Sequence, residues 1–231
     1  MEHYHGDIAV TAKPDQSPLT LADAAAHETI VRGLAEIDPD TPVLSEEGRL
    51  PDYEERRRWS RYWLVDPLDG TKEFIGRNGE FTVNVALVEA GRPTMGVVFA
   101  PASELLYHGL EGLGSWRQAG REPATRVFSR ARRGDEALTV VESRSHPSAE
   151  LEGLLKTLRV GRRIQLGSSL KFCWLADGRA DVYPRLGPTM EWDVAAGDCI
   201  YRNSGRGGRP RPSPLTYNKP DLRNPSFVLG L

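Results

Sequence analysis

The sequence predicts a mixed α/β fold in which an α+β part comes first and a smaller α/β part follows. Two observations carry this prediction. In the first part, one long helical segment precedes a series of strand-forming runs, and after residue 138 short strands and helices alternate. We place the two parts at residues 1–135 and 136–231 and expect them to form one compact unit.

The first part begins with a helix that has a recognisable start. Thr20 with Asp23 three positions later is typical of a capping box, and a helix is therefore predicted over residues 22–37. The run 61–65 is rich in strand-forming residues and should end at Asp66-Pro67. Two further runs flank an Ala-Gly-Arg-Pro turn and predict a hairpin, which two later runs extend. These four runs are 81–88, 94–99, 104–107 and 114–117.

The second part alternates short elements. Apolar runs predict strands, and apolar residues at helical spacing predict the helices between them. The predicted strands are 138–142, 163–166 and 180–183, and the predicted helices are 149–158, 168–176 and 192–201.

Composition excludes several classes of protein. The formal net charge of the 231 residues is -2, so we expect no nucleic-acid polymer as partner and assign the local arginine clusters, Arg56 to Arg58 among them, to solvated surface. Cys173 and Cys199 form no CxxC motif, which suits a reducing compartment. No apolar run approaches the roughly 18 residues of a membrane span, so we expect a cytoplasmic location, with or without peripheral attachment to the inner membrane.

One acidic turn stands out. Asp66 and Asp69 lie three positions apart where a strand should end, with Pro67 between them and Gly70 after them. Such a turn can direct both carboxylates and the Leu68 carbonyl into one pocket, and the amides of Gly70 and the next residue can cradle an anion. An ordinary acidic turn that closes a strand explains the same residues.

Other carboxylates extend this pattern. Glu46 and Glu47 follow a short apolar run, and Asp193 lies at the start of a predicted helix. A solvated loop would explain the glutamates equally well, and compensation of the helix dipole would explain Asp193. If these acids meet, a set of carboxylates without cysteine or histidine selects hard cations, Mg²⁺ first and Mn²⁺ as its substitute.

Three segments in one order resemble a known family. The segments SEEG, WLVDPLDGTKEF and EWDVAAGD are similar to the signatures of the inositol monophosphatase superfamily. Lys72-Glu73-Phe74 and the runs around Lys13, Asn78, Gly167 and Tyr183 resemble its CysQ-type branch, the 3′(2′),5′-bisphosphate nucleotidases. The resemblance implies an α-β-α-β-α sandwich of the sugar phosphatase type. It also implies a further helix before the position of Asp7, and we expect this sequence to form none there.

The resemblance assigns roles to single residues. Two or three Mg²⁺ ions would be bound by the ligands Glu46, Asp66, the Leu68 carbonyl, Asp69 and Asp193. Thr71 would hold the attacking water and Asp23 would polarise Thr71, although Asp23 can equally serve only to cap its own helix. Glu47 would act close to the metal ligands. Clustered Mg²⁺ would neutralise the phosphate and activate water, which explains why so many acids surround an anionic substrate.

Further residues are expected to contact the substrate. The set comprises Lys13, Gly70, Thr71, Ser143, His146, Ser168, Lys171 and Arg185. Lys171 would add a positive charge beside a helix start, and Arg185 would form a fork on the second phosphate. The plainer interpretations are that Ser168 only caps a helix and that Lys171 and His146 are surface residues.

The resemblance also implies an activity. We expect Mg²⁺-dependent, lithium-sensitive hydrolysis of 3′-phosphoadenosine 5′-phosphate, with the 5′-phosphosulfate analogue as a further substrate, by a monomer or homodimer. An inositol or sugar phosphate phosphatase of the same superfamily is the alternative. A non-catalytic nucleotide-binding regulatory module is a third hypothesis from a different class.

Overall fold

The computed structural model describes residues 1–6, 10–12, 18–131, 135–144 and 149–230. The helices are α1 (Glu2–His5), α2 (Leu21–Ile37), α3 (Tyr53–Arg56), α4 (Thr71–Ile75), α5 (Ala149–Lys156), α6 (Leu170–Ala176) and α7 (Glu191–Arg202). The strands are β1 (Val10–Ala12), β2 (Pro18–Thr20), β3 (Val43–Ser45), β4 (Arg61–Asp69), β5 (Thr82–Glu89), β6 (Arg92–Ala100), β7 (Leu105–Leu110), β8 (Gly114–Ala119), β9 (Thr125–Val127), β10 (Leu138–Ser143), β11 (Val160–Leu166), β12 (Tyr183–Arg185), β13 (Thr189–Met190), β14 (Arg223–Asn224) and β15 (Phe227–Leu229).

A seven-stranded sheet forms the larger layer. Its strands follow chain order from β3 to β9. Strands β3 and β4 are parallel and the remaining neighbours are antiparallel. The predicted hairpin is confirmed as β5 and β6. Its turn residues Ala90 and Gly91 have φ of 48° and 72°, the left-handed pair that a tight hairpin turn requires.

Strand β4 is buried on both faces, and its side chains alternate between two helical layers. Tyr62 and Leu64 belong to the main core with residues of α6 and α7. Trp63 and Val65 pack with Leu34 of α2 on the opposite face. This alternation follows from the period of two along a strand, and it places α2 on one side of the sheet and α7 on the other.

A second, smaller sheet lies beyond α6 and α7. Strands β10 and β11 are parallel. Val141 of β10 faces the main core, whereas Val140 packs with Leu151 and Leu155 of α5. The layers are therefore α2, the large sheet, α6 with α7, the small sheet and α5. This order confirms the predicted α-β-α-β-α sandwich.

Strand β4 runs past Asp66-Pro67, where the sequence predicts its end. Its pairing with β5 goes from Asp66 opposite Asn84 to Asp69 opposite Thr82, with a register shift between them. The shift inserts one extra residue in β4, which is the arrangement of a β-bulge. Because Asn84 and Thr82 share one face of β5, the bulge puts both aspartates on that same face. A regular strand would point them to opposite faces.

Two other expectations need correction, and one strand was not expected. The predicted strand 180–183 is displaced, because the regular strand here is β12 and Val182 makes only an isolated bridge to Val140. The short strand β9 at the sheet edge was not predicted. Arg56 is buried rather than solvated, since its guanidinium donates to Asn218 Oδ1 at 3.1 Å and to two backbone carbonyls nearby.

The expectation that no helix precedes Asp7 is wrong, because the short helix α1 lies there and packs near the acidic turn. The ring of Tyr4 lies 5.2 Å from Phe74 and 4.9 Å from Phe81, measured between centroids. Phe74 belongs to α4, and Leu68 joins the same small cluster. None of the helices in the described residues is long and apolar enough to cross a membrane.

Candidate metal centre and substrate cleft

A cleft of about 410 Å³ opens where the two sheets meet α7. It is lined by most of the residues that the sequence singles out. These are Glu46, Asp66, Leu68, Asp69, Gly70, Thr71, Ser143, Ser168, Lys171, Arg185 and Asp193. They come from both predicted parts of the chain, so the cleft depends on the packing of one part against the other.

Three carboxylates form a cluster at one end of the cleft. Oxygens of Glu46, Asp66 and Asp193 all lie within 4.8 Å of one another. Strand pairing sets two of them, because Ser45 is opposite Val65 and the Glu46 amide donates to the Val65 carbonyl at 3.1 Å. Asp193 lies in the first turn of α7, where its carboxylate accepts from the Met190 amide at 2.9 Å.

Burial and mutual repulsion raise the pKa values of the aspartates at this end of the cleft. Burial raises the pKa of Asp66 well above its usual range, and the charges of Glu46, Asp69 and Asp193 raise it further. Burial also raises the pKa of Asp193, to about 8, with Asp69 as the next cause. The pKa of Asp69 is raised by burial although the charge of Lys171 opposes the shift. Crowded carboxylate oxygens of this kind are the donors that hard divalent cations prefer, so the residues fit a metal ion.

The acidic turn has the tight geometry that its sequence predicts. The Leu68 amide donates to Asp66 Oδ1 at 3.0 Å, and the Thr71 hydroxyl lies 3.5 Å from the Leu68 carbonyl. Gly70 has a φ of 90°, in the left-handed region, and a Cβ there would lie 3.3 Å from the Glu80 carbonyl. Glycine is therefore favoured at the point where the chain leaves β4 and starts α4.

The opposite wall of the cleft carries buried positive charge. Lys171 is buried, which contradicts the surface interpretation, and its ammonium donates to the carbonyls of Leu166 at 3.2 Å and Ser168 at 2.5 Å. Burial lowers the pKa of Lys171 to about 8, while the charge of Asp69 acts in the opposite direction. Arg185 is also buried and donates through Nη2 to the Pro188 carbonyl at 2.9 Å.

Two polar atoms on this wall lack partners. Within the part of the chain that the structure describes, Arg185 Nε and Ser168 Oγ are buried and make no hydrogen bond. Ser168 has a φ of 45°, and the residue that caps α6 is Ser169 rather than Ser168. A helix cap therefore does not explain Ser168. Buried donors without partners are costly unless a ligand satisfies them.

Some predicted residues do not line the cleft. The Asp23 carboxylate accepts from the amide and hydroxyl of Thr20, at 2.8 Å and 2.5 Å, which confirms the capping box. Among the described residues Asp23 has no hydrogen bond to Thr71, so their pairing stays a prediction. Glu47 follows Glu46 but does not line the cleft. Lys13 and His146 lie outside the described residues.

Several residues of the site were not predicted. Asn84 donates to Asp69 Oδ2 at 3.3 Å and to Ser169 Oγ at 3.1 Å, and Ser169 donates to the Asp193 carbonyl at 2.7 Å. This series of hydrogen bonds links β4, β5, the start of α6 and α7. The sequence signal for it was the pair of polar residues Thr82 and Asn84 at alternate positions of an apolar strand. Arg223 of β14 also lines the cleft, and no sequence pattern points to it.

The layers and the acidic cleft define a layered α/β protein with a candidate metal centre. The model of a family described as the inositol monophosphatase family matches residues 1–223. The chain therefore belongs to the inositol monophosphatase family.

Three individual proteins are similar to this chain over most of its length. The 3′(2′),5′-bisphosphate nucleotidase CysQ of Escherichia coli (strain K12) is 46% identical over 100% of this chain and 93% of its own length. The Salmonella typhimurium protein of the same name is 52% identical over 87% of this chain and 80% of its own length. The crystal structure of CysQ from Bacteroides thetaiotaomicron superposes with a TM-score of 0.81 at 42% identity, covering 99% of this chain and 90% of that one.

Proposed function

We propose that this chain is a Mg²⁺-dependent 3′(2′),5′-bisphosphate nucleotidase. It would hydrolyse the 3′-phosphate of 3′-phosphoadenosine 5′-phosphate to give AMP and phosphate, and would accept the 5′-phosphosulfate analogue as well. The observation that carries the proposal is the pairing of two features in one cleft. A carboxylate cluster suited to metal lies at one end, and Arg185 and Ser168 present unsatisfied donors on the opposite wall. The relatives named as nucleotidases support the same choice of substrate.

The metal would be held by oxygen atoms from three elements. Glu46 follows β3, the pair Asp66 and Asp69 with the Leu68 carbonyl belongs to β4, and Asp193 belongs to α7. Two or three Mg²⁺ ions would bind, and Mn²⁺ would substitute. When bound, such ions neutralise phosphate charge, acidify water and stabilise the leaving oxygen. The raised pKa values of Asp66 and Asp193 support this assignment, because a bound cation would favour the charged form of these crowded carboxylates.

Thr71 would orient the attacking water at the entrance of α4. Its hydroxyl can donate to a carboxylate while its lone pairs accept from the water. Thr20 occupies Oδ2 of Asp23, so the other oxygen, Oδ1, is the one that would accept the Thr71 proton. We assign Glu47 a supporting role behind Glu46. Positioned proton acceptance of this kind contributes about 10²–10⁴ in rate.

The cationic wall would bind the part of the substrate that is not hydrolysed. Arg185 would use its unpartnered Nε on the second phosphate, and Ser168 would donate its hydroxyl to the same ligand. Lys171 would act mainly through its charge, because two of its three protons already hold the carbonyls of Leu166 and Ser168. Ser143 lines the same wall. Lys13 and His146 complete the proposed substrate contacts.

Two further predictions from the sequence accompany this proposal. We propose that the protein works as a monomer or homodimer on a small nucleotide. We also propose a cytoplasmic location, with or without peripheral attachment to the inner membrane.

The experiment that tests the function is a phosphate-release panel in Mg²⁺. The substrates are 3′-phosphoadenosine 5′-phosphate, AMP, inositol 1-phosphate and fructose 1,6-bisphosphate, each repeated in EDTA. We expect release from the bisphosphate nucleotide to exceed release from the others, and EDTA to abolish it. Preference for inositol 1-phosphate or fructose 1,6-bisphosphate would favour the sugar phosphatase alternative. No release from any substrate would favour the regulatory module.

A further inference from the structure

Helix α2 contacts the loop that carries the first metal ligand. We call residues 45–48, Ser-Glu-Glu-Gly, the acidic loop. Nδ1 of His27, on α2, lies 2.8 Å from the hydroxyl of Ser45, at hydrogen-bonding distance. Ser45 is buried and His27 is partly exposed, so this contact is partly shielded from water. A buried side-chain hydrogen bond fixes a loop more firmly than an exposed one.

The glycine that closes the acidic loop brings the imidazole close. A Cβ at Gly48 would lie 3.3 Å from Cε1 of His27, a contact tighter than most real Cβ contacts. Gly48 also donates its amide to the Ser45 carbonyl at 3.0 Å. The loop is thus held by β4 at the Glu46 amide, by its own turn, and by α2 through His27.

Ser45 and Glu46 face different cavities. Glu46 lines the metal-side cleft, whereas Ser45 and His27 line a second cleft of about 330 Å³ with Trp59. Neighbouring residues at the end of a strand point to opposite sides, which explains the difference. His27 therefore lies behind the acidic loop and lines no part of the cleft that would hold substrate.

The Glu46 carboxylate lies close to other negative charges. Its carboxylate lies beside those of Asp66 and Asp193, and like charges at this separation repel one another. Glu46 follows the three-residue strand β3, which pairs with β4 alone and forms the edge of the sheet. This repulsion acts at the edge of the sheet, where α2 contacts the acidic loop through His27.

We propose that His27 is a positioning residue, whose hydrogen bond to Ser45 holds the acidic loop so that Glu46 stays directed at the metal cluster. The inference rests on the proposed metal site and extends it to a residue outside the cleft. Loss of the hydrogen bond should weaken metal binding while leaving the reaction at saturating metal nearly unchanged, because His27 does not touch the reacting atoms.

The test measures Mn²⁺ binding to the metal-free protein by electron paramagnetic resonance. His27→Ala and Ser45→Ala should each raise the dissociation constant about threefold to tenfold, as expected for one hydrogen bond. The double variant should be no weaker than either single variant, because both remove the same bond. His27→Asn, whose amide can replace Nδ1, should restore most of the affinity. Glu28→Ala, an exposed change on the same helix, is the control for helix stability and should bind as wild type does.

The possible results distinguish an error in the positioning role of His27 from an error in the metal site. Wild-type affinity in both His27→Ala and Ser45→Ala would overturn the positioning role alone, and so would losses that multiply in the double variant. Failure of the wild-type protein to bind Mn²⁺ would overturn the metal site and this inference together. If His27→Ala does not fold, Ser45→Ala and His27→Asn still decide the question, since neither removes the packing of the helix.

Discussion

Asp66, Asp69 and Asp193 carry the charge of the candidate metal site. We expect Asp66→Asn, Asp69→Asn and Asp193→Asn each to abolish turnover without unfolding the protein, because each keeps the volume but removes charge that metal coordination requires. Circular dichroism and phosphate release measure the two effects. Near-normal activity of Asp69→Asn would show that Asp69 is not a metal ligand. Asp40→Asn, at an exposed residue outside the cleft, is the matched control and should remain active.

The raised pKa of Asp193 predicts a dependence of stability on pH in the metal-free protein. Burial raises this pKa to about 8, above the value of about 3.9 for an unfolded aspartate. The folded state thus holds the proton more tightly, and the stability gained from this is lost as pH rises through about 8.

In EDTA, therefore, Asp193→Asn should gain stability relative to wild type as pH rises from about 4 to about 8, because in this range the unfolded wild type releases the proton that its folded state retains. The melting temperatures of both proteins across this range measure the effect. A difference that stays constant with pH would show that the Asp193 carboxylate is stabilised by the fold itself. Saturating Mg²⁺ should reduce the dependence, since a cation favours the charged form.

The proposed pair of Thr71 and Asp23 makes a separate prediction at the scale of residues. Thr71→Val should lower kcat by about 10²-fold or more, with a smaller change in KM, because the hydroxyl acts on the water rather than on the ground-state substrate. Asp23→Asn should act through the same hydroxyl. If the double variant loses the product of the two single losses, the residues act independently and the pairing is wrong.

At the scale of elements, the turn between β11 and α6 joins the two walls of the site. Glu80 accepts from the Gly167 amide at 2.8 Å and from Arg144 Nη2 at 2.7 Å. The Lys171 ammonium stabilises the same turn by donating to the carbonyls of Leu166 and Ser168. Lys171→Ala should consequently disturb the turn as well as the charge, so Arg185 offers the cleaner test of substrate contact.

Arg185→Ala should weaken use of the bisphosphate nucleotide by roughly 1.5–3 kcal/mol, the value of a hydrogen bond to a charged group. It should matter much less for adenosine 3′-monophosphate, which lacks the second phosphate. The ratio of kcat/KM for the two substrates measures the effect, with Arg179→Ala, at an exposed arginine outside the cleft, as control. An equal loss on both substrates would mean that Arg185 supports the fold or the metals instead.

Elements whose signals are local could be predicted from the sequence. The capping box of α2 and the hairpin of β5 and β6 need only neighbouring residues, and both are confirmed. The assignment of the carboxylates to one metal site depends on the family resemblance, because the residues alone are equally typical of an acidic turn, a solvated loop and a helix start. The bulge in β4 could not be predicted, since Pro67 locally favours a strand end and only the pairing with β5 carries the strand past it.

The sequence also failed to predict that some charged residues are buried. Arg56 and Lys171 are both buried although the sequence suggests a surface position for each. A distant segment supplies carbonyls for Arg56, whereas the turn before α6 supplies those for Lys171. Such partners lie far away in the sequence or depend on a turn such as that at Ser168, with its φ of 45°. Hydropathy alone cannot detect them. Arg223 belongs to this group too, since a two-residue strand brings it to the cleft.

At the scale of the whole molecule, the site exists because the two sheets share one helical layer. Helix α7 carries Asp193 and packs on the large sheet, whose β4 carries Asp66 and Asp69. The wall with Arg185 belongs to β12, which pairs with the last strand of the chain. A carboxylate cluster and a wall with buried positive charge thus face one another across a cleft of about 410 Å³, a volume typical of small-molecule sites.

The measurement that tests the central claim most directly is phosphorus nuclear magnetic resonance of 3′-phosphoadenosine 5′-phosphate during turnover. With Mg²⁺ and wild-type protein, the account predicts that the 3′-phosphate resonance disappears, inorganic phosphate appears and the 5′-phosphate of AMP remains. EDTA or the Asp69→Asn substitution should prevent all of these changes. Release of the 5′-phosphate, or release that continues in EDTA, would contradict the account.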